Sequence, residues 1–292
     1  MKLHTLALVG PIILLLQNTI FGTAFQPTLS SAPPQSSIKD YIHDFWSKPR
    51  TGLEVESHVR ICLSDPKYSY TTENRPSIQI LSNEPPLLVV HNFLSPQMCD
   101  DIIQTALQSG NMRRSTIGSQ QETSETRTSS TVWIQEHECP IPLRLVADKV
   151  SSITGLPTSH MENLQVVRYD PGQEFQMHTD HQDSFNDLEC RGRLATCLIY
   201  LAEPVAGGET WFPALTSASG TNNGVLVTPR RGSAVLFWNT VEKPGCSNYS
   251  ANMFLHADPR MLHAGLPASE GEKWVCNRWI HPMDFGAGVR GL

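Results

Sequence analysis

The sequence predicts a mainly β fold, a sandwich or barrel, with flanking helices. A series of short apolar segments runs between residues 164 and 280, and turn residues such as Gly, Pro and Asn punctuate them. Segments with helical character precede these strands. A chain of 292 residues can bury one sizeable core, and no repeat of fixed period is apparent. We therefore expect one β domain with an N-terminal extension.

The N-terminus has the features of a targeting segment. Lys2 precedes an apolar run from Leu6 to Leu16, and a second apolar patch follows from Ile20 to Phe25. We predict a signal peptide or signal anchor over residues 1–25, directing the chain to the secretory pathway, in the lumen of the endoplasmic reticulum or Golgi. The stretch Thr23–Pro27 resembles the cleavage motif of bipartite plastid signals and leaves a plastid destination open. Membrane attachment requires the segment to stay uncleaved.

Residues 26–83 are expected to form a linker and an irregular extension. The first part is rich in Pro, Ser and Gln, a composition typical of a flexible linker, and a short helix is predicted from Ile38 to Trp46. Between Pro49 and Pro86 the turn signals and weak periodicity predict irregular structure with one strand at Ile78–Leu81.

The main domain is predicted to occupy residues 84–292. Leu87–Val90 indicates a buried strand, and a helix with Ser as its cap and Pro in its first turn runs from Ser95 to about Ser109. A loop rich in Ser, Thr and Arg follows from Asn111 to Ser130, and a second helix from Ile141 to Thr154. The later strands are predicted at Leu164–Tyr169, Phe175–Asp180, Ala195–Leu201, Gly208–Phe212, Val225–Thr228, Ala234–Trp238, Leu262–Gly265 and Lys273–Ile280.

The net charge and the cysteine spacing argue against a nucleic-acid partner and against a structural zinc site. The net charge of -6 gives no electrostatic case for a nucleic-acid partner. The seven cysteines include no CxxC pair, which argues against a structural zinc site.

One histidine and one carboxylate could share a metal ion. His178 and Asp180 are two apart on a predicted strand, so their side chains leave the same face. One further His would complete the two-His, one-carboxylate arrangement that binds Fe(II). The same spacing recurs at His181/Asp183 and His256/Asp258, so the pair alone does not identify a metal site.

A lysine downstream of a third histidine adds evidence for a metal site. Lys273 follows His263 by ten residues and could face the same cavity from the next strand of a barrel. A buried ammonium needs an anionic partner, and the distal carboxylate of 2-oxoglutarate would supply one.

From about Glu84 to Pro282 the chain resembles the catalytic domain of prolyl 4-hydroxylases. The motifs that carry the resemblance are His91-Asn92-Phe93-Leu94-Ser95, Arg127-Thr128-Ser129-Ser130, Arg168-Tyr169-Asp170-Pro171-Gly172-Gln173, His178-Thr179-Asp180, Arg193-Leu194-Ala195-Thr196, Tyr200-Leu201, Gly207-Gly208-Glu209-Thr210-Trp211-Phe212-Pro213, His263-Ala264-Gly265, Lys273-Trp274 and Trp279-Ile280-His281. The resemblance implies a double-stranded β-helix, or jelly roll, and iron as the metal.

The resemblance also implies roles for single residues. It selects the iron ligands His178, Asp180 and His263. Lys273 matches the family's 2-oxoglutarate anchor, while Tyr169 and Thr210 match positions that hydrogen-bond this cosubstrate. Phe175 stands where family members usually carry Tyr, which removes a hydroxyl group near the site.

The implied activity is peptidyl-proline 4-hydroxylation, coupled to oxidative decarboxylation of 2-oxoglutarate to succinate and CO2. It requires Fe(II), 2-oxoglutarate and O2, with ascorbate as the reductant, and no catalytic group beyond the metal ligands. Proline in an extended, polyproline-like peptide suits a groove with aromatic walls, for which Arg127, Ser129 and Trp279 are the candidates. Two alternatives stay open: another acceptor such as lysyl residues or a small molecule, and a non-catalytic jelly-roll binding module.

Overall fold

A computed structural model describes residues 51–285 except for 69, 71–72, 118–121, 124, 186–191, 221–222 and 242–255. The predicted targeting segment, the linker and the helix at Ile38–Trp46 lie outside the described residues. Within the described part, no helix combines the length and the apolar character needed to cross a membrane.

Most of the regular structure is antiparallel β-sheet. The strands are β1 (Ser77–Asn83), β2 (Pro86–His91), β3 (Arg113–Arg114), β4 (Thr116–Ile117), β5 (Glu122–Thr123), β6 (Ser130–Ile134), β7 (Leu164–Tyr169), β8 (Phe175–His178), β9 (Ala195–Ala202), β10 (Ala206–Gly207), β11 (Thr210–Phe212), β12 (Val225–Val227), β13 (Ala234–Trp238), β14 (His263–Gly265), β15 (Ala268–Glu270) and β16 (Lys273–Ile280). The helices are α1 (Gly52–Leu63), α2 (Pro96–Gln108) and α3 (Pro140–Thr154).

Two sheets carry the architecture. The larger has the strand order β1-β2-β13-β9-β16-β7-β6-β3, and the smaller has the order β12-β11-β14-β8. Strands β10 and β15 form a separate pair, as do β4 and β5. An apolar core joins the two main sheets, because Val167, Tyr200 and Val235 of the larger sheet pack with Phe212 and Val227 of the smaller one. These two facing sheets form the predicted jelly roll.

Strand β2 shows why a continuous apolar run forms a strand here. Leu87 and Val89 point into the core between the sheets, whereas Leu88 and Val90 belong to a second core on the opposite face. The helices cover that second face, with Ile102 of α2 among its buried residues. A strand buried on both faces needs apolar residues at every position.

The described part of the N-terminal extension is more regular than predicted. Between Pro49 and Pro86 we expected irregular structure with one strand, but Gly52–Leu63 is a helix, so that prediction is wrong for this segment. Thr51 and Glu54 form a capping box at its start, and the helix packs on the same core as the sheet. The strand predicted at Ile78–Leu81 exists and is longer, as β1.

The region predicted as a loop from Asn111 to Ser130 also differs. It contains the short strands β3, β4 and β5, and it leads into β6, which the sequence did not indicate. Strand β6 pairs along its whole length with β7. The predicted strand Phe175–Asp180 ends earlier, at His178, so Asp180 lies beyond the strand rather than on it.

Candidate metal centre

Three side chains with metal-binding atoms converge on the inner side of the smaller sheet. His178 ends β8 and His263 begins β14, and the two residues are direct partners in the antiparallel pairing. The Oδ1 atom of Asp180 lies 3.5 Å from His178 Nε2 and 3.8 Å from His263 Nε2. Among the described residues this is the one group of three or more such side chains, with all ligand atoms within 4.8 Å of one another.

Both imidazole rings are oriented by backbone carbonyl groups. His178 Nδ1 donates to the carbonyl oxygen of Gln176 at 2.8 Å, and His263 Nδ1 donates to that of Met261 at 2.9 Å. Because the proton lies on Nδ1, the lone pair on each Nε2 faces the carboxylate of Asp180. This hydrogen bond to the second nitrogen is the usual arrangement of metal-binding histidines.

The surroundings hold two of these groups in the protonation state that metal binding needs. Burial, assisted by His178, lowers the pKa of His263 to about 4, so its ring is neutral near pH 7. Burial by itself would raise the pKa of Asp180, but His263 and His178 outweigh it and hold that pKa well below its usual range. A neutral imidazole and an ionised carboxylate are the forms that coordinate a metal. Two histidines with one carboxylate are the donor set typical of non-haem Fe(II).

The other two His-x-Asp pairs have no third ligand-type side chain beside them in the described part of the chain. His181 Nε2 lies 3.4 Å from Asp183 Oδ1, but the carboxyl side chain of Asp183 is 90% exposed. Asp258 forms an ion pair with Arg260 at 2.7 Å.

A buried lysine lies in the same cavity. Lys273 is only 2% exposed, and its Nζ donates to the carbonyl oxygens of Gly208 at 3.0 Å and Leu266 at 3.3 Å. No carboxylate of the described residues pairs with it. Burial, opposed in part by Glu209, lowers the pKa of Lys273 to about 8. A buried ammonium without a counterion favours an anionic ligand, and a carboxylate of 2-oxoglutarate fits this requirement.

Two hydroxyl groups accompany Lys273. Tyr169 pairs with Lys273 across β7 and β16, and the ammonium lies 4.5 Å from the centre of the tyrosine ring. Thr210 pairs with Gly265 across β11 and β14, and its Oγ1 is 2.8 Å from the hydroxyl of Tyr200. The cavity is lined by Arg127, Tyr169, Phe175, His178, Asp180, Leu198, Thr210, His263, Gly265, Lys273, Val275, Asn277 and Trp279.

Gly265 keeps the space beside the lysine open. A Cβ atom at this position would lie 3.5 Å from Lys273 Nζ and 3.8 Å from the Tyr169 hydroxyl. Any larger side chain would therefore occupy the volume next to the ammonium group.

The structure separates the three residues predicted as substrate contacts. Arg127 and Trp279 line both the cavity and a wider groove that opens from it, whereas Ser129 is fully buried and lines neither. Arg127 donates to the Thr116 carbonyl and to Gln165 Oε1, both at 3.1 Å, and its guanidinium lies 4.6 Å from the Phe175 ring centre. The Ser129 hydroxyl is 2.8 Å from that of Ser115. It also hydrogen-bonds Tyr169, which places it behind the cavity wall.

Sequence patterns missed two contacts of the metal-binding side chains. Phe175 stacks on His178 with ring centres 3.5 Å apart. Thr196 Oγ1 donates to Asp180 Oδ2 at 2.7 Å. Neither contact has a signal in the spacing of residues: Phe175 and His178 are three apart on β8, and Asp180 lies beyond that strand, 16 positions from Thr196 on β9.

Known proteins similar to this chain share one chemistry. A family model described as the 2OG-Fe(II) oxygenase superfamily matches residues 164–281. Prolyl 4-hydroxylase 2 of Arabidopsis thaliana is 33% identical over 230 residues, covering 73% of this chain and 72% of that protein. Probable prolyl 4-hydroxylase 4 of the same plant is 33% identical over 234 residues, with the same two shares. The crystal structure of a viral collagen prolyl hydroxylase from Paramecium bursaria Chlorella virus 1, in complex with 2-oxoglutarate, aligns with a TM-score of 0.50 and 28% identity. That alignment covers 67% of this chain and 95% of the viral chain.

Proposed function

Because the chain belongs to the prolyl 4-hydroxylase family of Fe(II)- and 2-oxoglutarate-dependent oxygenases, we propose that it hydroxylates C4 of proline residues in peptide substrates. One observation supports this proposal: the Nε2 atoms of two histidines and a carboxylate converge in the cavity that also holds a buried ammonium group, which has no carboxylate partner among the described residues. The first set fits Fe(II), and the second fits the far carboxylate of 2-oxoglutarate.

The metal would be held by His178, Asp180 and His263. Their Nε2 and Oδ1 atoms face one another, and the Nδ1 hydrogen bonds to Gln176 and Met261 keep the rings in that orientation. Two histidines and one carboxylate would hold Fe(II) beside the cosubstrate. Bound together, Fe(II), 2-oxoglutarate and O2 supply the oxidising chemistry, with succinate and CO2 as products.

The cosubstrate would be held in the same cavity by Lys273. Its ammonium group is prepositioned by two carbonyl oxygens, and a carboxylate arriving there gains a charge-assisted hydrogen bond. The hydroxyls of Tyr169 and Thr210 can add neutral hydrogen bonds. The apolar side chains of Leu198 and Val275 line the same cavity and would reduce the access of water to the bound cosubstrate.

The peptide would lie in the groove that opens from the cavity. Its walls include Trp279, which stacks under the guanidinium of Arg193 at 3.5 Å and lies 5.6 Å from the ring of Trp133. Aromatic walls suit the polyproline II conformation, which costs little ordering entropy on binding. Arg127 stands where cavity and groove meet, so it is a candidate contact to both the peptide and the reaction centre. Ser129 would act indirectly, through Tyr169.

A peptide-pool screen tests the acceptor. The protein with Fe(II), 2-oxoglutarate and ascorbate is incubated with proline-rich peptides and with lysine-containing peptides of matched length. We expect the mass gain of one oxygen atom on proline-rich peptides, located at proline by fragmentation. Modification of the lysine peptides alone would move the function to a different acceptor.

We also propose that ascorbate is the reductant and that the chain enters the secretory pathway. The proposal for location rests on Lys2 and the apolar run Leu6–Leu16. A fluorescent protein fused behind residue 37 should reach the endoplasmic reticulum or Golgi, and carbonate extraction separates a cleaved signal from a membrane anchor. Fluorescence in a plastid would support the bipartite-signal alternative instead.

A further inference from the structure

We propose that Asn239 and Thr196 form a buried hydrogen-bond relay that fixes the carboxylate of Asp180 for metal binding. Neither residue lines the cavity, so both are positioning residues that act through Asp180. The inference rests on the assignment of Asp180 as a metal ligand in the proposed function.

The two oxygen atoms of Asp180 have different surroundings. Oδ1 faces the Nε2 atoms of His178 and His263, at 3.5 and 3.8 Å. Oδ2 accepts a hydrogen bond of 2.7 Å from Thr196 Oγ1, which is completely buried in β9. The hydroxyl of Thr196 therefore occupies one carboxylate oxygen and leaves the other one free to bind a metal ion.

The number of available protons determines which group donates and which accepts in each hydrogen bond of the relay. An ionised carboxylate can only accept, so the single hydroxyl proton of Thr196 goes to Asp180. The Thr196 oxygen must then accept from its other neighbour, and Asn239 Nδ2 lies 2.9 Å away. This requirement orients the amide of Asn239 with its NH2 group towards Thr196.

The same orientation leaves the Oδ1 atom of Asn239 buried and without a hydrogen-bond donor among the described residues. A buried amide oxygen without a donor destabilises the fold, and an apolar side chain of the same size would avoid that cost. The hydrogen bond from Asn239 Nδ2 to Thr196 is the contact that such an apolar side chain could not make.

The main chain of Asn239 links the relay to the second part of the metal site. Asn239 follows the last residue of β13, and its carbonyl oxygen accepts from Asp258 N at 2.8 Å. The carboxylate of Asp258 caps the turn Pro259–Met261, accepting from Arg260 N at 3.0 Å. The carbonyl group of Met261, at the end of that turn, accepts from His263 Nδ1. Asn239 thus contacts the segments that position two of the three ligands, one through its side chain and one through its backbone.

Removing the hydroxyl from the relay should weaken metal binding without unfolding the protein. Thr196→Val is nearly isosteric but cannot donate to Asp180, and Thr196→Ser keeps the hydroxyl. Loss of such a supporting hydrogen bond typically reduces metal affinity by about 10- to 100-fold. We expect this loss in Thr196→Val, with Thr196→Ser close to the wild type. The readout is the Fe(II) dissociation constant, measured anaerobically by calorimetry without cosubstrate or peptide.

A double-mutant cycle separates a relay from two unrelated packing effects. Asn239→Leu, nearly isosteric and apolar, should weaken Fe(II) binding on its own. In the Thr196→Val background it should cause no further loss, because the hydroxyl through which Asn239 acts is already absent. The d–d absorption of the Co(II)-loaded variants reports whether the coordination geometry has changed.

Two results would overturn the proposal: an unchanged Fe(II) affinity in Thr196→Val, or fully additive losses in the double variant. Near-ultraviolet circular dichroism of the metal-free variants identifies those that fail to fold. If Thr196→Val is among them, the Fe(II) affinities of Thr196→Ser and Asn239→Leu are compared instead. Asp180→Ala is included in the same titration. If Asp180→Ala binds Fe(II) as tightly as the wild type, the metal assignment itself fails, and that outcome is distinguishable from failure of the relay.

Discussion

Lys273 offers a prediction whose size and pH dependence both follow from the structure. Replacement by Met removes the charge and keeps the length of the side chain. Lys273 is 2% exposed, and its hydrogen-bond acceptors among the described residues are carbonyl groups, so we expect the cosubstrate to supply its counterion. Breaking a buried ion pair by removing one partner typically costs about 3 to 5 kcal/mol. We therefore expect Lys273→Met to bind 2-oxoglutarate roughly a hundred- to several-thousand-fold more weakly at pH 7.

The pH dependence follows from the lowered pKa of Lys273. Burial holds this pKa at about 8 in the free protein, so the side chain is charged below that pH and ready to pair. Above pH 8 it is mostly neutral, and binding a carboxylate must first take up a proton. The affinity of the wild type should thus be constant below about pH 8 and fall about tenfold for each further pH unit. Lys273→Arg, whose guanidinium stays charged, should keep part of the affinity for 2-oxoglutarate, and this affinity should not fall above pH 8.

The assay is an anaerobic titration of the Fe(II)-loaded protein with 2-oxoglutarate between pH 6.5 and 9.5. Fe(II) affinity, measured in parallel at each pH, controls for changes at the metal. Tight binding of 2-oxoglutarate by Lys273→Met would refute the reasoning. So would a wild-type affinity that stays constant to pH 9.5 once the metal control is taken into account.

Further predictions concern the metal ligands and the groove. Replacement of any one proposed ligand by Ala (His178, Asp180 or His263) should abolish turnover. The loss of thermal stability should be small, because these side chains contribute mainly to metal affinity. His181→Ala and His256→Ala, the matched controls from the other His-x-Asp pairs, should keep Fe(II) binding by calorimetry. Arg127→Ala and Trp279→Ala should raise the KM for peptide while the peptide-free decarboxylation of 2-oxoglutarate persists. An equal loss of both reactions would show that these residues act on the cofactor site rather than on the peptide.

Much of the larger sheet could be predicted from the sequence, since local patterns determine it. Strands β7, β13 and β16 have the predicted bounds, because each is rich in residues that favour strands, such as Val, Ile, Tyr, Phe and Trp, and turn residues flank it. Helix α1 was missed although it has a signal: Thr51 and Glu54 form a capping box, and Val55, Val59 and Leu63 recur at intervals of four. The two-residue strands β3, β4 and β5 carry no such signal, because each is too short for an apolar pattern and is defined only by its pairing: β3 with β6, and β4 with β5.

The candidate site was predicted in part, and the parts that were missed depend on contacts between residues distant in the sequence. The spacing of His178 and Asp180 indicated a shared ion, but three equivalent pairs existed, and only tertiary structure places His263 beside one of them. Ser129 was expected in the groove as part of a long polar loop, yet it is fully buried, and its hydroxyl contacts those of Ser115 and Tyr169. The relay joins Thr196 on β9 to Asn239, which lies 43 positions later and directly after the neighbouring strand β13, and no local pattern can indicate such a contact.

One measurement tests the central claim most directly. A proline-rich peptide is incubated with the protein, Fe(II), 2-oxoglutarate and O2, and succinate and 4-hydroxyproline are quantified in the same reaction, beside Asp180→Ala. The proposed function predicts equimolar formation of the two products in the wild type and neither product in the variant. Succinate without hydroxyproline on any proline peptide, or undiminished hydroxyproline in Asp180→Ala, would contradict it.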